Sequence, residues 1–169
     1  HLVMQHIDLS KPPLKEEMEA LLSEMQRKEL LTEEERRSVD TDVILGFFQT
    51  DLGRRLIGAK WGKRELPFSL AVDPREIYPD YPAGEDPVFV QGIIDCLFKD
   101  EKGLVLLDYK TDAVTGRFPD FQAAKPVLLA RYRTQIAWYK RAIEEITREK
   151  MDECYLFFFD GGHLVKVDV

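Results

Sequence analysis

Hydrophobic positions change their period three times along this chain. Up to about residue 60 they recur at helical steps. Residues 1–8 look like the end of a helix, broken by Lys11-Pro12-Pro13. Leu14, Met18, Leu21, Leu22, Met25 and Leu30 then mark a helix over Leu14–Leu31. Thr32-Glu33-Glu34-Glu35 is a capping-box pattern and opens a new short helix. Asp40 or Thr41 caps a further helix from Val43 to about Ile57, with Ile44, Phe47, Phe48, Leu52 and Leu56 inward and Gly46 and Gly53 weakening it. From Trp61 to Asp73 the pattern turns to strand, with Pro67 pointing to a sheet edge or a strand start. Pro74–Pro87 is rich in Pro, Tyr, Asp and Gly and reads as a connector.

Two further strands, Val88–Lys99 and Leu104–Lys110, flank Asp-Glu-Lys-Gly, with Gly103 where a tight turn needs a permissive backbone. Both are apolar on both faces except at one end, which implies a sheet covered on both sides. After a polar, proline-containing crossover over Thr111–Pro126, helical spacing returns over Leu128–Lys150, with Tyr132, Ile136, Tyr139, Ile143 and Ile146 on one stripe. Cys154–Phe159 and His163–Val169, around Asp160-Gly161-Gly162, read as a last hairpin.

A turn centred on Glu101–Lys102 sets Lys99 against Leu104, Cys96 against Leu107 and Asp95 against Asp108. Asp108 and Lys110, two apart, share a face. Opposed carboxylates in an apolar hairpin repel, and desolvation adds to the cost. Two readings fit: a structural Asp–Lys pair at a hairpin end, or a pair that holds a divalent cation beside an amine.

Net charge is −7 over 169 residues, which argues against a free-standing protein with a dominant basic surface but leaves room for an acidic metal centre with local phosphate contacts. Length gives one domain. No apolar run reaches membrane-spanning length and no signal peptide is present. Cys96 and Cys154 have no metal-ligand spacing and read as buried thiols of a reducing cytoplasm. The start, His1-Leu2-Val3-Met4, has no initiator Met and reads as a fragment of a longer protein.

Gly92-Ile93-Ile94-Asp95, a hairpin, then Asp108-Tyr109-Lys110-Thr111-Asp112 resembles the core of the PD-(D/E)xK nucleases in their RecB-like branch. Gln135-Ile136-Ala137-Trp138-Tyr139 matches that branch's Gln-x-x-x-Tyr motif, and His1 matches its upstream histidine. The wording is similar to the C-terminal nuclease domains of the AddA helicase–nuclease family. The resemblance implies an α/β fold with a restriction-endonuclease-like core, a mixed central sheet flanked by helices. Residues 1–60 would form a mainly helical portion and 61–169 the catalytic part of a single nuclease domain.

It further implies Asp95, Asp108 and Lys110 as catalytic residues. His1, Asp95, Asp108 and the backbone carbonyl of Tyr109 would ligate Mg²⁺ or Mn²⁺, and Gln135 and Tyr139 would support the site or contact DNA. Its expected partners are single-stranded DNA, a helicase portion of the same chain and an AddB-like subunit, in double-strand-break processing and away from any membrane. His6 sits roughly 140° around a helix from His1 and could not share its ion. Two other functions are kept in view: a silent docking module of the same fold, and a stand-alone exonuclease. Glu65 could face the site, but is read first as solvent-facing or salt-bridged. The basic residues of the long helix, Arg131, Arg133, Lys140 and Arg141, are read as a phosphate path or a solvated face.

Overall fold

A computed structural model describes residues 1–82, 84 and 86–169. Five strands form one sheet in the order β1-β2-β3-β4-β5: β1 Trp61–Val72, β2 Val88–Asp100, β3 Gly103–Lys110, β4 Glu153–Phe158 and β5 His163–Lys166. All neighbours are antiparallel except β3 and β4, which run parallel. A parallel pair needs a crossover, and α6, Phe121–Thr147, supplies it. β1 is an edge strand, as Pro67 suggested. The fold is the α/β arrangement expected, with a mixed sheet between helices.

Two hydrophobic clusters lie on opposite faces. Ile94, Leu97, Leu104, Leu106, Leu156 and Phe158 pack with Leu128, Ile136, Ala142 and Ile143 of α6. Cys96, Phe98, Val105, Leu107, Tyr109 and Phe157 pack with four N-terminal helices, α1 Leu2–His6, α2 Lys15–Arg27, α4 Thr41–Gln49 and α5 Asp51–Ile57, while α3, Glu33–Ser38, buries no residue. β3 is buried on both faces along its middle, which its unbroken apolar run foretold. Both cysteines are buried free thiols. Among the described residues no helix is long and apolar enough to cross a membrane.

Several boundaries differ from the sequence reading, each for a local reason. α2 stops at Arg27, because Glu29 adopts φ +58°, and Leu14 and Leu30 are left exposed. The helix expected over Val43–Ile57 is two helices. Thr50 ends α4 in extended geometry and caps α5, its hydroxyl accepting the Gly53 N–H at 3.1 Å. Gly53 permits the fold-back: a Cβ there would lie 2.2 Å from the Phe47 carbonyl oxygen. α6 begins seven residues earlier than the periodicity indicated, because Asp120 caps it by accepting the Ala123 N–H at 2.9 Å. Pro126 lies inside that helix, and Ile146, expected inward, is exposed. The capping box at Thr32 forms as read, with Glu35 N–H on Thr32 Oγ1 at 3.1 Å and Thr32 N–H on Glu35 Oε2 at 2.8 Å. The connector over 74–87 starts with a 3₁₀ turn, Pro74–Glu76, and contains two residues, 83 and 85, outside the described set.

One irregularity bears on the site. β1 and β2 pair continuously except at Glu65 and Asp95, which face each other between Arg64–Cys96 and Leu66–Ile94. Glu65 has φ +52°, a left-handed backbone that a strand residue avoids. Side-chain alternation reverses there. Ile94 and Cys96, two apart and so due to share a face, lie in different clusters. Beyond the reversal, Phe89 and Ile93 stand exposed on the far part of β2.

Candidate metal and nuclease site

The antiparallel pairing of β2 and β3 follows the expected register from Asp100–Gly103 to Cys96–Leu107 and stops there. Asp95 and Asp108 would be the next pair, but they are not joined by the ladder. Instead the Asp95 carboxylate occupies the gap: its Oδ2 accepts the Tyr109 N–H at 2.7 Å. The strand-end amide is thereby satisfied by a side chain instead of a backbone carbonyl.

His1 reaches the same point from α1. Its Nε2 lies 2.7 Å from the Tyr109 carbonyl oxygen and 3.4 Å from Asp95 Oδ2. A five-residue helix has no stability of its own. α1 is held by burying Val3 and Met4, and by Arg64, whose Nη1 donates to the carbonyls of Met4 at 2.9 Å and Ile7 at 2.7 Å. Arg64 neighbours the reversal at Glu65, so one short stretch of β1 sets both the histidine helix and the carboxylate strand. The spacing of motif residues carried no sign of this role. An open cleft of about 480 Å³ runs from His1 and Thr111 along Val3, Met4, Val39, Ile44 and Phe159.

Asp108 is 3 % exposed, the one charged residue in the core among the described residues. Lys110 Nζ stands 2.6 Å from its Oδ2, on the same face as expected, yet that oxygen is buried with no hydrogen-bond partner. The contact is therefore an ion pair without hydrogen-bond geometry. Lys110 Nζ also donates to Gln135 Oε1 at 2.8 Å, and Gln135 Nε2 donates to the Tyr139 hydroxyl at 2.9 Å. The Gln and Tyr of α6 thus serve the lysine, one turn apart. Gly92 makes room for Tyr139: a Cβ there would lie 2.8 Å from the Phe68 ring and 3.2 Å from the Tyr139 ring, whose centroids are 5.3 Å apart.

Electrostatics separate the two carboxylates. Burial pushes Asp108 up to about 6, against the pull of Lys110 and with the Asp95 charge adding to the rise. Burial would raise Asp95 too, but His1 and the Tyr109 amide outweigh it and hold it below the usual carboxylate range. His1 is raised, chiefly by its hydrogen bond to Asp95 and against its own partial burial. A site with one carboxylate kept ionised and its neighbour kept reluctant to ionise is one that a divalent cation would relieve. The donors are carboxylate and carbonyl oxygens with one imidazole, a set suited to Mg²⁺ or Mn²⁺. Among the described residues no three His, Cys, Asp or Glu side chains stand together so as to hold an ion by themselves. By donor type these residues fit the ion, with the Tyr109 carbonyl as a further oxygen.

Of the seven residues singled out, all lie where the β2–β3 pairing ends: His1, Asp95, Asp108, Tyr109, Lys110, Gln135 and Tyr139. His6 and His163 lie apart, the latter stacked on Phe121 at 3.9 Å between centroids. The basic residues divide. Arg131 pairs with Asp112, Arg141 pairs with Glu76 and Glu145, and Lys140 donates to the Val169 carbonyl at 2.6 Å.

The model of the PD-(D/E)XK nuclease superfamily matches residues 1–166. This chain belongs to that superfamily. It is 46 % identical over 166 residues to AddA, the ATP-dependent helicase/nuclease protein of Bacillus licheniformis, covering 98 % of this chain and 14 % of the relative. The same-named protein of Bacillus velezensis is 46 % identical over 166 residues, covering 98 % and 13 %. That of Bacillus thuringiensis is 41 % identical over 171 residues, covering 99 % and 14 %. The chain therefore spans about a seventh of the length of these relatives, and the PD-(D/E)XK core is what it shares with them.

Proposed function

We propose that this chain is a divalent-metal-dependent DNA nuclease domain that hydrolyses phosphodiester bonds of single strands. The observation that carries the reading is the meeting of His1 Nε2, the Tyr109 carbonyl and Asp95 Oδ2 within 3.4 Å of the imidazole, beside a buried Asp108 whose Oδ2 lies 2.6 Å from Lys110 Nζ. Mg²⁺ or Mn²⁺ held by these four would screen the phosphate and make water a stronger acid. Asp95, fixed by the Tyr109 amide, orients the site without moving. Lys110 supplies the positive charge beside the reacting phosphate, where it orients the attacking water or stabilises the developing negative charge. Gln135 and Tyr139 hold that amine in line.

The relatives, each named as an ATP-dependent helicase/nuclease, support a wider setting. Residues 1–60 and 61–169 would be the helical and catalytic portions of one nuclease domain in a longer helicase–nuclease. ATP-driven unwinding by the same polypeptide would deliver the strand, with an AddB-like subunit beside it, in the bacterial cytoplasm during double-strand-break repair. The acidic balance of this domain suits a nuclease fed by a neighbour better than one that captures DNA alone.

The test is cleavage of a 5′-labelled single strand with Mg²⁺ or Mn²⁺ by the full-length protein, comparing the natural sequence with Lys110→Ala. EDTA abolishes cleavage, and Lys110→Ala lowers kcat by roughly 100- to 1,000-fold. Equal cleavage by both would remove Lys110 from its role and favour a docking module.

A further inference from the structure

Lys110 has a third neighbour that neither the D-x-K pattern nor the Gln-x-x-x-Tyr pattern contains. Its Nζ sits 4.1 Å from the centroid of the Tyr132 ring. That distance puts the ammonium on the π face, where the ring quadrupole attracts a cation. The ring is itself fixed. Its hydroxyl donates to Asp112 Oδ2 at 2.6 Å, Arg131 pairs with the other Asp112 oxygen, and Phe158 lies 6.3 Å away between centroids. Tyr132, Gln135 and Tyr139 stand three and four residues apart on α6, so one face of that helix presents a ring, an amide and a second ring toward the lysine.

We propose that Tyr132 is a positioning residue: its ring, pinned by Asp112, seats the Lys110 ammonium against Asp108. This rests on the nuclease reading of Lys110 given above. An ammonium has three donors. Gln135 takes one and Asp108 holds the charge, which leaves a flexible four-carbon stem to be located in the remaining direction. Another hydrogen-bond acceptor there would consume a donor that the phosphate or water needs. A π face attracts the charge and leaves the donors available. The Tyr132 hydroxyl does not touch the amine. It anchors the ring to Asp112, two residues beyond Lys110 on the same segment, so ring and amine move together.

The test uses the full-length protein with Tyr132→Phe, Tyr132→Leu and a series in which position 132 carries phenylalanine with one to three ring fluorines, which progressively weaken the π face. kcat and KM for a labelled single strand are measured separately. Tyr132→Phe keeps kcat within about threefold, while Tyr132→Leu lowers it roughly 2- to 30-fold with little change in KM. The fluorinated rings lower kcat stepwise at constant thermal midpoint. In metal-free protein, reductive methylation of Lys110, followed by peptide mass, is faster in Tyr132→Leu than in the natural sequence.

A flat fluorine series, equal methylation rates, or a Phe variant as impaired as the Leu variant overturns the proposal. The nearly isosteric fluorinated rings decide the matter even where Tyr132→Leu does not fold. Lys110→Ala is run alongside. Full activity in that variant sinks the nuclease role of Lys110, whereas an inactive Lys110→Ala with a flat fluorine series sinks only the role of Tyr132.

Discussion

Asp95 Oδ2 accepts the backbone N–H of Tyr109 at 2.7 Å, at the point where β2 and β3 cease to pair. The carboxylate therefore has a structural duty separable from its charge. Asp95→Asn keeps an acceptor for that amide and should fold with a thermal midpoint close to that of the natural sequence while losing nuclease activity. Asp95→Ala also strands the amide, at a cost of about 1–3 kcal/mol. Urea unfolding of the two variants, alongside cleavage assays, checks the split. Equal stability would mean that water or another group satisfies Tyr109.

Gly92 carries the close approach of Phe68 and Tyr139. Gly92→Ala inserts a methyl group 2.8 Å from one ring and 3.2 Å from the other. The expected cost is about 1–3 kcal/mol of overpacking strain. Because Tyr139 holds Gln135 and Gln135 holds Lys110, kcat should fall more than KM rises. A variant that loses stability but keeps full kcat would break that chain of contacts.

The left-handed backbone at Glu65 gives a prediction of opposite sign. Glycine adopts φ +52° without a Cβ penalty. Glu65→Gly should be neutral or stabilising by about 1 kcal/mol, and Glu65→Val destabilising by more than that. Denaturant midpoints measure both. Destabilisation of the glycine variant would indicate that the Glu65 side chain makes contacts that outweigh its strain.

Away from the site, Arg55 bridges Asp100 at 2.6 Å and Glu153 at 2.5 Å, tying α5 to β2 and β4. Arg55→Met removes the shared cation, leaving Asp100 with the Lys102 N–H and Glu153 with the Tyr155 hydroxyl and Lys166, and should cost about 1–3 kcal/mol at neutral pH. Arg55 lowers both carboxylate pKa values. A carboxylate with a lowered folded pKa contributes stability above its unfolded pKa and loses it as pH falls through the folded one. The gap between the natural sequence and Arg55→Met should therefore be widest near pH 7 and close progressively below pH 4. A gap that persists at pH 2 would assign it to packing of the arginine stem.

Much of this arrangement is legible in the residues. The register of the β2–β3 turn follows from the position of Gly103, and the shared face of Asp108 and Lys110 follows from a period of two. The double break around Thr50 is harder to read, because a threonine at the junction of two helices looks like any mid-helix residue until Gly53 packs against the Phe47 carbonyl. The extended start of α6 is masked by Pro126. Arg64 and Tyr132 lie outside every motif, and their contacts join segments far apart in the chain. The reversal at Glu65 and Asp95 defeats periodicity altogether, since alternation is read on the assumption that a strand keeps its faces.

That reversal makes the segment around Asp95 intolerant of any change in length. One residue added or removed between Gly92 and Cys96 would deliver the carboxylate to the wrong layer and turn buried methyl groups toward water, whatever the added residue was. The length of this part of the hairpin is thus tied to the acidic group it carries.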